Sequence, residues 1–176
     1  MKTVLFNLFL AIPVQFAADL FSGKDAPYRY FYALITTMLA GALLYTFAPQ
    51  ERTVLAAVPL LLLASSADTA CGEIPDPASI GIAVLSFLQQ TRYPYTAATV
   101  FILFTICSLF EKIGFGDVKL ITAWTFMRGL RILYALPIAC VLVLVIYPHN
   151  EKERRIPFAP FLSIGFLLAE LLPVTL

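Results

Sequence analysis

Long apolar stretches separated by short polar breaks occupy most of this chain of 176 residues. A helix needs about 20 residues to cross the hydrocarbon core of a bilayer, with a range of roughly 17–25. Several stretches are shorter, so their polar-flanked ends must contribute or the bilayer must thin locally. We predict an all-α, polytopic transmembrane bundle of about eight helices. The eight stretches are Lys2–Phe21, Tyr28–Ala48, Thr53–Ala67, Pro77–Gln90, Tyr95–Phe110, Asp117–Met127, Arg131–Tyr147 and Pro157–Leu176.

The composition requires a lipid environment. Hydrophobic residues make up 60% of the chain and charged residues 13%, whereas soluble domains average about 25% charged residues. A soluble fold of this size cannot bury so much apolar surface, so we expect the chain to lie in a lipid bilayer. The net charge of +1 gives no electrostatic reason to expect nucleic acid as a partner.

The organisation predicted is a single membrane domain over residues 1–176, with N-terminal helices in 1–52 and a core in 53–176. The first stretch starts like a signal peptide, but it has no clear small-x-small cleavage site and is predicted to be a retained helix. Placing the loops at 68–76, 111–117 and 148–155 in the cytoplasm puts seven of the twelve Lys and Arg residues on that side. This agrees with the positive-inside rule and places both termini in the periplasm.

Metal and thiol chemistry have little support in the sequence. Cys71, Cys107 and Cys140 are widely spaced and form no C-x-x-C motif, which argues against zinc and disulfides. We interpret them as small apolar fillers in helices or at helix ends. His149 is the only histidine, which removes most metal, Ser-His and Cys-His chemistry. No metal and no cofactor are predicted.

Two aspartates stand at the edges of apolar stretches. Asp68 directly follows an apolar run, and Asp117 opens another. A carboxylate at membrane depth costs roughly 2.5–3.5 kcal/mol on insertion scales, so each is a functional candidate, although a helix end in the headgroup region explains each position equally well. If the two helix ends meet, the carboxylates would share one proton. One could then take a proton from water while the other polarises a peptide carbonyl.

The residues around Asp117 fit such a site. Gly114 and Gly116 permit backbone conformations closed to residues with a side chain and would let a substrate backbone approach. An ordinary glycine-containing break between helices is the alternative interpretation. Lys119 could hold the charge of a carboxylate or contact substrate, or it could be a lysine that extends to the interface from a helix end.

Three segments together resemble the type IV prepilin peptidases. The segment Asp68–Asp76 (DTACGEIPD) resembles the D-x6-P-[ND] signature, and Gly114–Leu120 (GFGDVKL) resembles G-x-G-D-x-K-[LF]. The segment Arg155–Leu162 (RIPFAPFL) resembles the I-P-F-G-P-F-L sequence that opens the last helix of the family. The three occur in the family's order, and the resemblance covers roughly Thr53–Leu176.

The resemblance implies a GxGD-type intramembrane aspartic endopeptidase with Asp68 and Asp117 as its catalytic pair. Its substrate would be a type IV prepilin or a type II secretion pseudopilin, with a short basic leader before an apolar helix. Cleavage would occur at the cytoplasmic face of the bacterial inner (cytoplasmic) membrane. The resemblance places these further residues near the site: Pro75, Asp76, Gly114, Gly116, Lys119, Pro157, Phe158 and Pro160.

The chain departs from the family pattern at several positions. Asp76 stands where Asn is common, which places a third carboxylate near the site. We predict that it caps a helix that has Pro77 as its first residue, and a catalytic role is the alternative. Ala159 replaces a glycine, and Glu73 stands where basic residues are frequent. The chain also lacks the C-x-x-C domain of long members, so it resembles a short form without expected methyltransferase activity.

Two other functions compete with this interpretation. A GxGD protease of presenilin type would have Tyr before the first aspartate, where this chain has Ala67, and a P-A-L segment that the last stretch lacks. An ion or proton transporter would use Asp68 and Asp117 as a relay. Transporters place such groups near the bilayer midplane in broken helices, whereas both aspartates here lie at the ends of stretches. The oligomeric state is not predicted.

Overall fold

The computed structural model describes residues 52–89, 91–110, 113–146 and 156–172, and within these ranges the regular structure is entirely helical. The predicted N-terminal helices, including the retained first one, lie outside the described residues, as do His149 and the basic run 152–155. The helices are α1 (Arg52–Cys71), α2 (Asp76–Ser86), α3 (Pro94–Leu109), α4 (Phe115–Arg128), a 3-10 turn (Gly129–Arg131), α5 (Ile132–Ile146) and α6 (Ala159–Leu171).

Each of the six apolar stretches predicted from Thr53 onward overlaps one of these helices, with ends that differ by a few residues. Prolines stand in the first turn of α2, α3 and α6, where the missing N–H has no helical partner to lose. The all-α prediction therefore holds for the described residues. The count of eight extends beyond them and stays a prediction.

One helical segment among the described residues, 115–146, is long and apolar enough to cross a membrane by length and composition. It comprises α4, the 3-10 turn and α5. Gly129, at the turn, has φ of +61°, a value that residues with a Cβ rarely adopt. A Cβ there would also lie 2.8 Å from the ring of Tyr93, so glycine is needed both for backbone conformation and for space.

Helix α4 lies at the centre of the bundle. It packs against α2 and α3, while α1 packs against α2 and α6, and α5 packs against α6. The rings of Trp124 on α4 and Phe166 on α6 stack with centroids 4.7 Å apart. The Ser65 hydroxyl on α1 donates to the Ser163 hydroxyl on α6 at 2.9 Å. The buried interior thus lies between α1, α2, α4 and α6.

Helices α3 and α5 lie at the outside. The one fully buried residue of α3 is Ala97, and α5 buries three. Large apolar side chains project outward from both helices, including Ile102, Leu103, Val141 and Leu144. Exposed apolar surface on this scale is typical of helices that face lipid, in agreement with the composition.

Candidate active site

A cavity of about 1380 Å³ lies at one end of the bundle, and both aspartates line it. Three of its walls come from the segments singled out in the sequence: 67–77, 113–119 and 156–158. Helices α3 and α5 supply the rest. Its lining residues are Ala67, Asp68, Gly72, Glu73, Ile74, Pro75, Asp76, Pro77, Phe104, Ser108, Ile113, Gly114, Phe115, Gly116, Asp117, Lys119, Leu136, Cys140, Ile156 and Phe158.

Asp68 lies in the last turn of α1 and is half-buried. The backbone N–H of Ala159 donates a hydrogen bond to Oδ2 of Asp68 at 2.9 Å. Ala159 is the first residue of α6, where backbone N–H groups have no partner inside the helix. The carboxylate of Asp68 therefore occupies the N-terminus of the last helix, and the first and third segments meet directly.

The turn after Asp68 depends on Gly72. Its φ is +72°, and its N–H donates to the carbonyl of Asp68 at 2.8 Å. This geometry is the common glycine termination of a helix. It ends α1 one turn after Asp68 and allows the chain to pass along the cavity wall to Pro75.

Asp117 is the third residue of α4, whose N-cap is Gly114. A Cβ on Gly114 would lie 3.1 Å from Oδ2 of Asp117, and a Cβ on Gly116 would lie 3.0 Å from the Cβ of Ile74. Neither glycine has a positive φ, so the expectation that they serve an unusual backbone conformation was wrong. They provide space: Gly114 for the Asp117 carboxylate, and Gly116 for the loop that follows Asp68.

Both carboxylates lie near the N-terminus of a helix. Asp117 belongs to the first turn of α4, and Asp68 accepts from the first residue of α6. The partial positive charge at a helix N-terminus interacts favourably with a carboxylate. A site built in this way can hold a negative charge despite its apolar surroundings.

Asp76 and Lys119, which both line the cavity, form an ion pair. The pair joins the start of α2 to the first turns of α4, 43 residues away in sequence. The predicted N-cap at Asp76 was wrong: Pro75 is the N-cap of α2, no side chain caps it, and Asp76 is the first helical residue. Asp76 binds Lys119 because the loop preceding α2 lies against the start of α4.

The family model described as the type IV leader peptidase family matches residues 54–148. This match covers more than half of the chain and contains both aspartates. The chain belongs to the type IV leader peptidase family. Membership implies a membrane-associated peptidase. No curated protein and no solved structure matches the chain.

The third segment, Arg155–Leu162, lies beyond the matched residues, but Ile156 and Phe158 line the same cavity. Phe158 is the N-cap of α6, with Pro160 in the first turn. Pro157 and Pro160 are not among the lining residues. Ala159, in place of the family's glycine, keeps the backbone N–H that reaches Asp68.

Several lining residues were missed by the sequence reasoning. Phe104 and Ser108 come from α3, and Leu136 and Cys140 from α5. Cys140 is exposed and lines the cavity, so its interpretation as an apolar filler was wrong. Residues of each pair are four positions apart and therefore lie on one helix face. This spacing could not identify them from the sequence, because α3 and α5 contain many pairs with the same spacing.

Within the described residues, no group of three or more His, Cys, Asp and Glu side chains is arranged to hold a metal ion. The polar side chains that line the cavity are four carboxylates, the Lys119 ammonium group, the Ser108 hydroxyl and the Cys140 thiol. Glu73 adds one exposed carboxylate that makes no ion pair with any described residue.

Proposed function

We propose that this protein is a prepilin peptidase that removes the leader of a type IV prepilin or pseudopilin, using Asp68 and Asp117 as its catalytic pair. The observation that carries the proposal is that α1 and α4 bring these two carboxylates to one cavity. The family match supports the peptidase activity. The choice of substrate and of the catalytic pair is our inference.

The chemistry needs one ionised and one protonated aspartate. The ionised carboxylate takes a proton from a water molecule, whose oxygen attacks the carbonyl carbon of the scissile bond. The protonated carboxyl donates its hydrogen to the carbonyl oxygen, which forms a tetrahedral diol. When the C–N bond breaks, the amine nitrogen receives the proton taken from water, and the carbonyl oxygen returns the other. The pair ends with one proton, as it began, so neither metal nor thiol is required.

The cavity also supports a substrate that is both apolar and basic. Its lateral walls carry Phe104 and Leu136, while Glu73 and Asp76 line it near the start of α2. A substrate with a basic leader before an apolar helix would place the apolar helix against Phe104 and Leu136. Its basic leader would lie near Glu73 and Asp76. We place the reaction at the cytoplasmic face of a bacterial inner membrane, because loop charges favour that orientation.

Co-expression with a candidate prepilin, followed by N-terminal sequencing of the product, tests the function. The wild type is expected to release the leader, and Asp117→Asn to release none, since an amide can neither ionise nor pass the proton. The double variant Asp68→Asn/Asp117→Asn is expected to lose no more cleavage activity than either single variant. The reason is that the effects of removing catalytic groups that act together are not additive. A wild type that cleaves no prepilin, yet moves ions through Asp68 and Asp117, would establish the transporter alternative.

A further inference from the structure

A gap separates α3 from α5 beside the cavity. Helix α3 packs against α4, and α5 packs against α6, but α3 and α5 do not pack against each other. Phe104 and Ser108 line the cavity from one side of the gap, and Leu136 and Cys140 from the other. The cavity that holds the two aspartates therefore continues between these two helices.

The helices that border the gap carry exposed apolar side chains. Leu103 and Val141, the sequence neighbours of the lining residues Phe104 and Cys140, are 56% and 57% exposed. In a bilayer these side chains contact acyl chains. A hydrophobic segment already in the membrane can therefore reach the aspartates sideways, without leaving lipid.

The cavity volume is compatible with a short helical segment. An α-helix with its side chains is about 10–12 Å wide, so one turn fills roughly 500 Å³, which is less than the cavity volume of about 1380 Å³. A lipid headgroup would match the carboxylates poorly, because its phosphate repels them.

Charge fixes the direction of the occupant. Lys119 neutralises Asp76, whereas Glu73 lines the cavity and has no ionic partner among residues 52–89, 91–110, 113–146 and 156–172. A cationic group on a bound segment would complement the Glu73 carboxylate. Apolar walls on one side and this carboxylate on the other suit a segment that changes from apolar to cationic as it passes the aspartates.

We infer that the gap between α3 and α5 is the groove that receives the first turns of the substrate's membrane helix, with Glu73 facing the cationic segment that precedes it. The inference rests on the proposed peptidase function and deepens it. It assigns Leu136 and Cys140 to one wall, Phe104 and Ser108 to the other, and charge recognition to Glu73.

Disulfide cross-linking in membranes tests the groove. The full chain carries Asp117→Asn to prevent cleavage and Cys71→Ala and Cys107→Ala to leave Cys140 as the single thiol. The co-expressed prepilin carries one cysteine in the first two turns of its apolar helix. Mild oxidation is expected to join it to Cys140, because a disulfide requires Cα atoms within about 7 Å. Ser108→Cys, in a chain with Cys140→Ala, is expected to cross-link from the opposite wall.

The matched control is Val141→Cys combined with Cys140→Ala. Val141 is the next residue of α5, is 57% exposed and is not a lining residue, so its cross-link is expected to be lost. Equal yields at positions 140 and 141 would overturn the groove. Two other disulfides would also overturn the groove if they persist when prepilin is present. One joins Cys140 to a cysteine placed within residues 1–51, and the other joins Cys140 to a second copy of this chain.

Charge exchange tests the role of Glu73. Glu73→Lys is expected to reduce both cross-linking and, in the otherwise wild-type chain, cleavage, and an acidic substitution in the substrate's leader is expected to restore them. Unchanged cleavage in Glu73→Lys would overturn this role. Cleavage by the wild type without any cross-link at positions 108 or 140 would overturn the groove alone. Absence of cleavage by the wild type would overturn the proposed function itself.

Discussion

The backbone N–H of Ala159 donates a hydrogen bond to the carboxylate of Asp68 at 2.9 Å, across 91 residues of sequence. This bond ties the end of α1 to the start of α6. The bond also explains how the segment that opens α6 contributes to the site. The helix begins at a point where its first N–H group, which has no partner inside the helix, reaches the Asp68 carboxylate. The residue that supplies the bond is replaceable as long as its backbone nitrogen carries a hydrogen.

The first prediction separates charge from hydrogen bonding at Asp68. Asp68→Asn keeps an oxygen for the Ala159 N–H, so the protein is expected to keep its thermal stability and lose prepilin cleavage. Asp68→Ala removes the acceptor and is expected to lose cleavage and about 1–3 kcal/mol of stability as well. Thermal unfolding in detergent, measured beside cleavage, checks both. Equal stabilities of the Asn and Ala variants would show that the bond is not formed.

The second prediction concerns the space beside Asp117. In Gly114→Ala the new Cβ lies 3.1 Å from Oδ2 of Asp117, so the carboxylate must move by a few tenths of an ångström. Since small misplacements of reacting groups are costly, the cleavage rate is expected to fall on the order of tenfold. The matched control is Gly81→Ala, whose Cβ meets only the side-chain end of Leu60. Equal activities of the two variants would contradict this role for Gly114.

Much of this architecture was predictable from the chain because it depends on local pattern. Each apolar stretch from Thr53 onward overlaps a helix, and Pro77 and Pro94 stand in the first turns of α2 and α3. The proximity of the three motif segments followed from their positions at alternate ends of successive helices. Assignment of Asp68 and Asp117 as the catalytic pair stays a prediction, since geometry alone does not test catalysis.

What escaped prediction depends on contacts between distant residues. The donor to Asp68 is a backbone N–H, which leaves no side-chain signature at position 159. The pairing of Asp76 with Lys119 arises from packing of the loop before α2 against α4, so a local capping rule gave the wrong partner. Likewise, Gly114 and Gly116 have ordinary φ values. A side chain is excluded at these positions because a Cβ would lie too close to Asp117 and Ile74, respectively.

The third prediction concerns the Asp76–Lys119 pair. Their side chains are 61% and 35% exposed, so the coupling between them is expected to be below about 1 kcal/mol. A double-mutant cycle measures this coupling energy. It compares the stabilities of the wild type, Asp76→Asn, Lys119→Gln and the double variant. Asp76→Asn is expected to keep substantial cleavage. If Asp76→Asn is inactive while Asp68→Asn still cleaves, the catalytic pair has been assigned to the wrong carboxylate.

The fourth prediction concerns an ion cluster at the other end of the bundle. Glu170 has a side chain with no exposed surface, and it binds Arg128 and Arg131. Nε of Arg128 donates to Oε1 at 2.9 Å, and Nη1 of Arg131 lies 3.3 Å from Oε2. The cluster joins the C-terminus of α4, the 3-10 turn and the C-terminus of α6, so it fixes the ends remote from the cavity.

Glu170→Gln removes a fully buried carboxylate from two half-buried guanidinium groups and is expected to lower stability by about 3–5 kcal/mol. Arg131→Gln is expected to cost less, because Arg131 is 24% exposed against 11% for Arg128 and water can replace part of its bonding. Glu170 follows Ala159 by eleven residues, or about 16 Å of helix, so cleavage per folded molecule is expected to stay near that of the wild type. Thermal unfolding and specific activity in the same detergent separate the two effects. A Glu170→Gln protein that melts like the wild type yet cleaves no prepilin would place Glu170 in the catalytic machinery rather than in the scaffold.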